Sequence, residues 1–242
     1  MDKSSLSYKE KKLKNMFDHI AMKYDLINHI LSFGIDIIWR KKTIHLLYKF
    51  SERNIQKILD IATGTGDLAI LLAHQFKYAH IIGLDSSEKM LEVAKKKIKN
   101  NFFEKKIQTI LGYSQNIPFK NKTFDVVTIA FGIRNFQYIH HSVKEIYRIL
   151  KPSGILAILE FSEPSNYWIK KIYYFYFFFM KRIGNFISKN HFAYNHLKKS
   201  ILSFPYRDKR MNKFLKYHGF DTIHTQKLTF GIVSVYIVKK RK

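Results

Sequence analysis

From Ile55 onward, short apolar runs, each long enough for one strand, alternate with segments long enough for one helix. IQKILDIA reads as a strand ending at a Gly-rich turn, TGTGD, with DLAILLAHQF as the helix behind it. HIIGLD is a second strand, followed by SSEKMLEVAKKKIKN, an amphipathic helix with Ser86 or Ser87 as its N-cap. IQTILGYS, TFDVVTIAFG and ILAILEFS supply three more strands, and HSVKEIYRIL is the helix before the last of them. Strands that are apolar on both faces and separated by helices lie beneath those helices, which predicts a parallel sheet. The end of the chain departs from the rhythm. DTIHTQKLT and IVSVYIVKK are joined through Phe230-Gly231, a link too short for a parallel crossover, so they form an antiparallel hairpin.

The 242 residues fit a single domain. Its parts read as an N-terminal helical cap over 1–50, a cofactor-binding core over 51–163, a helical insertion over 164–205, and a C-terminal helix and hairpin over 206–242. The insertion is too long for an ordinary connection and is expected to cover the functional edge of the sheet. It carries the aromatic stretch Tyr173 to Phe179, flanked by Lys170, Lys171, Lys181 and Arg182. That stretch suits a core helix, a membrane surface or the cover of a greasy substrate. The helix near RDKRMNKFLKYHG is stopped by Gly219.

Composition narrows the chemistry. With no cysteine, disulfides, Cys-ligated zinc, iron–sulfur clusters and cysteine nucleophiles are excluded. The histidines have no metal-ligand partners at a recognisable spacing, so no metal is assigned. MDKSSLSYKEKKLKNMF is basic without an apolar core, and no apolar run approaches the ~20 residues of a membrane helix, so a cytoplasmic setting is expected. A net charge of +25 favours anionic partners such as nucleic acid or anionic lipid. The lysines are spread along the chain beside abundant Ile, Phe, Asn and Tyr, so A/T-rich codon usage accounts for them equally well.

The Gly-rich turn carries the first functional signal. Gly64 and Gly66 lie between the first strand and its helix, where a ligand can approach the main chain. Asp85 ends the second strand, nineteen residues after Gly66, where a carboxylate can accept both hydroxyls of a ribose. Nicotinamide and flavin enzymes share the Gly-rich turn, but three features favour S-adenosylmethionine. Asp60, inside the end of the first strand, suits a cationic amino group and not a pyrophosphate. Asp67 again disfavours an anion at that helix start. An antiparallel last strand fits a class I S-adenosylmethionine-dependent methyltransferase, an α/β Rossmann-like sheet of seven strands. At the end of the third strand, Gly112-Tyr113-Ser114 should reach the adenine, with Ser114 N–H bonding a ring nitrogen and Ile117 packing on its face.

The fourth strand ends in TIAFGIRNF, so Phe131, Gly132, Arg134 and Asn135 should face the transferable methyl. The Asn/Asp-Pro-Pro-Tyr tetrapeptide that holds planar amines is absent there, and covalent pyrimidine methylation needs a cysteine. What remains is O- or C-methyl transfer to an activated acceptor. Arg134 suits a phenolate and Asn135 suits its orientation.

These residues carry a resemblance. The chain resembles the menaquinone/ubiquinone biosynthesis C-methyltransferases through MFDHIAMKYDLINHILSFGIDIIWR, LDIATGTGDLA, GLDSSEKML, TFDVVTIAFGIRN, RILKPSG, LEFSEP, AYNHLKKSILSFP and LTFGIVSVY, nearly the whole chain. The resemblance implies C-methylation of a prenylated quinol, demethylmenaquinol or a ubiquinone-pathway benzoquinol. Matching positions make Thr65, Asp85, Tyr113 and Ser114 cofactor contacts. They place Arg134 and Asn135, with Tyr24 and Asp25 of the cap, at the substrate. Contact with the cytoplasmic membrane face, transient or peripheral, is expected from the polyprenyl tail; a homodimer is one open arrangement and nucleic acid is not expected. Three positions depart from the family pattern. Tyr113 stands where Asp or Asn is usual, which should lower cofactor affinity. Met22 replaces a common proline. Ser153 replaces the first glycine of the KPGG turn, which should be tolerated if its φ is negative. Two rivals stay open: an RNA methyltransferase, and a membrane-associated binding protein without activity.

Overall fold

The strands are β1 (Lys57–Ile61), β2 (His80–Asp85), β3 (Ile107–Leu111), β4 (Phe124–Ala130), β5 (Leu150–Phe161), β6 (Phe220–Leu228) and β7 (Val233–Lys240). In the computed structural model, which describes residues 7–51, 54–164, 166–173, 175 and 191–241, they form one sheet of order β3-β2-β1-β4-β5-β7-β6. β7 runs antiparallel to both β5 and β6 and lies between them. The sequence order reverses between β1 and β4, which pair in parallel, so the crevice beyond their carboxyl ends is the topological switch point.

Helices cover both faces. Before the sheet come α1 (Tyr8–Ile20), α2 (Tyr24–Ser32) and α3 (Ile35–Phe50). α4 (Asp67–Gln75), α5 (Glu88–Asn100) and α6 (Ile139–Ile149) lie between strands, and α7 (His191–Ser203) and α8 (Lys209–Tyr217) precede the final hairpin. Strand residues alternate between two cores. Ile58, Val126, Ile155 and Val235 pack with Leu47, Leu72 and Ala94 of α3, α4 and α5. Leu59, Val127, Leu156 and Tyr236 pack with Ile146, Met211 and Leu215 of α6 and α8. This period of two within each strand, with both sets buried, is why the strands read as continuous apolar runs.

Local chemistry sets the helix ends. Ser87 caps α5, accepting a hydrogen bond from Met90 N at 3.1 Å. Ser7 and Glu10 form a reciprocal capping box on α1. Gly219 follows α8 with φ +91°, and a Cβ there would stand 2.7 Å from the Tyr147 ring.

Two sequence expectations shift. β3 stops at Leu111, and Tyr113-Ser114 instead open a tight turn in which Asn116 N donates to Tyr113 O at 3.0 Å. β5 begins at Leu150 and not Ile155, with its register to β4 shifting between Phe124 and Val126. The intervening Ser153 takes φ +63°, so the negative φ under which a serine is tolerated there is not met. A left-handed residue with a Cβ costs about 1–2 kcal/mol. Ser153→Gly is therefore expected to stabilise the fold by roughly 1 kcal/mol, read as a raised urea midpoint with an unchanged slope. A lowered midpoint would contradict the strain.

Of the aromatic stretch, Tyr173 is buried against Ile201, and Phe175 is exposed. Residue 174, residues 176–179, Lys181 and Arg182 lie outside the described residues.

Candidate active site

Two cavities open at the switch point. The first lies over the carboxyl ends of β1, β2 and β4. Gly64, Asp85, Tyr113 and Ser114 line it from the sheet side. Glu10, Leu13, Lys14 and Phe17 line it from α1, at the spacing that puts four residues on one helical face. Hydrogen bonds hold that face in place. Gln115 Nε2 donates to Glu10 Oε1 at 2.6 Å, and Ser7 Oγ donates to Gln137 Oε1 at 2.8 Å. Asp18 Oδ1 accepts from Ser87 Oγ at 2.5 Å.

Asp85 is poised as a double acceptor. Its Oδ2 accepts from Gly64 N at 2.8 Å and its Oδ1 from Ser87 N at 2.9 Å, leaving each oxygen a further lone pair. Burial pushes its pKa up, against the N–H groups of Ser87, Gly64 and Ser86. Gly64, at φ +56°, has open space where a Cβ would stand, so a ligand can meet its main chain. Gly132 is closer set, since a Cβ on it would lie 2.6 Å from Ala62 Cβ. Ala62 and Phe131, at the ends of β1 and β4, both take positive φ, +56° in each case. This bent backbone borders the cavity that both residues line.

The other turn residues act from below. Asp60 is 1% exposed and lines neither cavity; it accepts from Thr63 and Thr128 Oγ1, each at 2.7 Å. Burial lifts its pKa to about 6, against the two hydroxyl bonds. The folded state therefore binds its proton more tightly than the unfolded chain. That contribution is full below pH ~4 and is lost as pH rises toward 6. Asp60→Asn is expected to abolish this loss, gaining on the order of 3 kcal/mol over wild type between pH 4 and pH 7. Urea unfolding of both proteins at the two pH values measures it, and parallel curves would contradict the assignment.

Thr65 donates to Asp25 Oδ1 at 2.5 Å, and Lys97 Nζ reaches Asp25 Oδ2 at 2.7 Å and also Asp67. Neither Thr65 nor Asp25 lines a cavity; together they lock α2 onto the loop. Asp67 shares the Lys97 cation with Asp25, so its charge is partly offset and disfavours an anion less than its position in the sequence implies. Gly66, at φ +84°, starts α4 and brings it against Ala94 of α5, with no part in the cavity lining. Ile117 is buried in the core beneath α6, not on an adenine face.

The second cavity, of about 630 Å³, is mostly apolar. α2, α3, α7 and the turn at Thr229–Gly231 enclose it, with Trp39, Leu197 and Ile201 among its walls. It meets the first at Phe17, Tyr24, Phe131 and Asn135, which line both. Phe17 and Tyr24 pack edge to face, 6.2 Å apart.

Arg134 lies on the wall of the second cavity with its side chain 6% exposed. Its Nη1 donates to Glu160 Oε1 at 2.9 Å and to Phe131 O, and its Nε donates to Ser200 Oγ at 3.3 Å. Glu160 is buried beside it, and its carboxylate offsets the charge of the guanidinium. Arg134 Nη2 has no partner among the described residues and remains as an oriented donor. Next to it, Asn135 Oδ1 meets His196 Nε2 at 3.1 Å. His196 has its pKa lowered to about 4, by burial first and then by Arg134, and is neutral at pH 7. Asp36, Arg40 and His29 form a further network, with Arg40 Nη1 2.6 Å from Asp36 Oδ2 and the guanidinium over the Phe131 ring.

A family model described as the ubiE/COQ5 methyltransferase family matches residues 5–240. The chain belongs to the ubiE/COQ5 methyltransferase family. It is 40% identical over 230 residues to the demethylmenaquinone methyltransferase of Thermotoga maritima, covering 94% of this chain and 96% of that one. It is 39% identical over 237 residues to the ubiquinone/menaquinone biosynthesis C-methyltransferase UbiE of Geotalea daltonii, covering 97% and 99%. A solved S-adenosylmethionine-dependent methyltransferase from Aquifex aeolicus shares the fold, at a TM-score of 0.62 and 14% identity over 89% of this chain and 97% of that one. The class I methyltransferase fold and S-adenosylmethionine as methyl donor follow for this ubiE/COQ5 member. The lining of the first cavity suits that donor's chemistry: an acidic double acceptor stands beside an open glycine backbone, with an aromatic and aliphatic wall.

Sequence reasoning placed Gly64, Asp85, Tyr113, Ser114, Tyr24, Arg134 and Asn135, and the structure brings all seven to the two cavities. It missed the α1 face, Glu160, the Asp36–Arg40 pair and His196. The α1 face was visible as i, i+3, i+4, i+7 spacing. The other partners are long-range and carry no local signal.

Proposed function

We propose that the protein transfers a methyl group from S-adenosylmethionine to a ring carbon of demethylmenaquinol. The observation that carries this reading is the junction of the cavities: a polar, acid-lined one meets a large apolar one at Phe17, Tyr24, Phe131 and Asn135. A prenylated ring needs an apolar chamber, and its reacting edge needs to meet the donor at the wall they share. The names of the relatives, one specific to demethylmenaquinone and one covering both quinones, support a quinol acceptor.

S-adenosylmethionine, when bound, would supply an electrophilic methyl: the acceptor's ring carbon bonds to it, the carbon–sulfur electron pair stays with sulfur, and the ring proton is released to solvent as aromaticity returns. Asp85 holds the ribose end, with Gly64, Tyr113 and Ser114 around the nucleoside. Asp60, Thr65 and Gly66 support the loop from beneath. Arg134 Nη2 and Asn135 Nδ2 donate to the acceptor's ring oxygen, and Tyr24 closes the junction above. Because Glu160 already balances Arg134, the arginine acts chiefly as an oriented donor and adds little unpaired charge. The apolar walls exclude water from the junction.

The mouth of the apolar cavity supports contact with a membrane surface. Phe33 (80% exposed) and Phe230 (76%) line it, and both sit on left-handed backbone that turns a large ring outward. The net charge of +25 complements anionic headgroups. No helix among the described residues is long and apolar enough to cross a membrane.

The test offers labelled S-adenosylmethionine with reduced demethylmenaquinone, a reduced ubiquinone-pathway benzoquinone and total RNA in parallel. Label in the naphthoquinol is expected. Label in the benzoquinol alone would move the substrate class, and label in RNA alone would overturn the reading.

A further inference from the structure

α7 brings two side chains, one helical turn apart, onto the two consecutive residues that face the acceptor. Ser200 Oγ accepts from Arg134 Nε at 3.3 Å while donating to Leu197 O at 2.9 Å. His196 Nε2 lies 3.1 Å from Asn135 Oδ1. An amide oxygen only accepts, so the imidazole proton sits on Nε2 and the histidine donates. Asn135 N is already spent on Gly132 O, at 3.0 Å. Its Nδ2 has no partner among the described residues, and the side chain faces both cavities. An asparagine left alone there would flip its amide and present acceptor or donor at random. Tied through Oδ1, it presents only N–H.

We propose that His196 is a positioning residue for methyl transfer: by donating to Asn135 Oδ1 it fixes the amide so that Nδ2 donates to the acceptor's ring oxygen. This rests on the quinol reading given above. The same helix carries Leu197 and Ile201 on the wall of the apolar cavity. A prenyl tail seated against them bears directly on the helix that sets Asn135 and Arg134. Binding energy from the unreactive tail is thereby applied to the orientation of the reacting end.

The test compares kcat, KM and S-adenosylhomocysteine affinity for His196→Phe, His196→Gln, Asn135→Ala and the Asn135→Ala/His196→Phe double variant. Phenylalanine keeps the ring volume but cannot donate; glutamine keeps a donor near the position of Nε2. His196→Phe should lower kcat by about tenfold, with cofactor affinity unchanged. Glutamine should recover most of that loss, and the double variant should be no slower than Asn135→Ala alone. Equal kcat for His196→Phe and wild type, or a glutamine variant as slow as the phenylalanine one, would overturn the positioning role, and so would fully additive losses in the double variant. A wild-type protein that binds cofactor and methylates no quinol would overturn the underlying reading instead, and this inference with it. Unchanged S-adenosylhomocysteine binding by His196→Phe shows that the variant is folded.

Discussion

Replacing Arg134 by alanine will lower kcat by about 100-fold or more and will also destabilise the protein by roughly 3–5 kcal/mol. The two losses have separate origins. Turnover falls because the oriented Nη2 donor at the acceptor's oxygen is gone. Stability falls because Glu160, 1% exposed, is left as a buried carboxylate without its cation. Arg134→Met combined with Glu160→Gln removes both charges while keeping volume, so it should recover most of the stability and none of the turnover. Urea unfolding and steady-state kinetics on the same preparations separate the effects. A double variant that regained activity would show that Arg134 serves only the fold.

Asp85→Ala should weaken cofactor binding by about 100-fold or more. Two charge-assisted hydrogen bonds to a ribose are each worth about 1.5–3 kcal/mol, and each 1.4 kcal/mol is a factor of ten. The loss also frees Gly64 N and Ser87 N, whose bonds to Asp85 fix the loop against α5. Calorimetric titration with S-adenosylhomocysteine measures it. An unchanged Kd would remove Asp85 from the ribose. Turnover at saturating cofactor should fall much less than affinity, because Asp85 stands away from the shared wall of the cavities.

The sheet was legible because buried parallel strands and their helices repeat on a short period, and the Phe230-Gly231 link leaves one geometry for the last strand. Asp85 and Gly64 were legible for the same reason: the ends of regular strands fix where their side chains point. Legibility failed where the backbone is irregular. Ser153 takes a positive φ because of a register shift between β4 and β5 that no local pattern announces. Ile117, three residues past Ser114, turns inward to the core. Thr65 and Asp25 lie at motif positions yet bond each other, since the placement of α2 against the loop is a tertiary fact. His196 is sixty-one residues from Asn135 and carries no sequence signal linking it to that residue. Its role depends on where a 13-residue helix inside a long insertion comes to rest.

α1 supplies one face of the first cavity through Glu10, Leu13, Lys14 and Phe17. The Lys97–Asp25–Thr65 bonds hold α2, and the Asp18–Ser87 bond holds α1, against the Gly-rich loop and α5.

Under the proposed function, the two cavities deliver a methyl group to a ring carbon at the wall they share. A direct measurement incubates the protein with S-adenosylmethionine carrying a carbon-13 methyl and with reduced demethylmenaquinone, then records the carbon and proton spectra of the purified product. An aryl-methyl resonance, with loss of the ring proton signal, is the predicted result. A methoxy resonance would mean that the acceptor presents its oxygen to the junction, and would contradict the account.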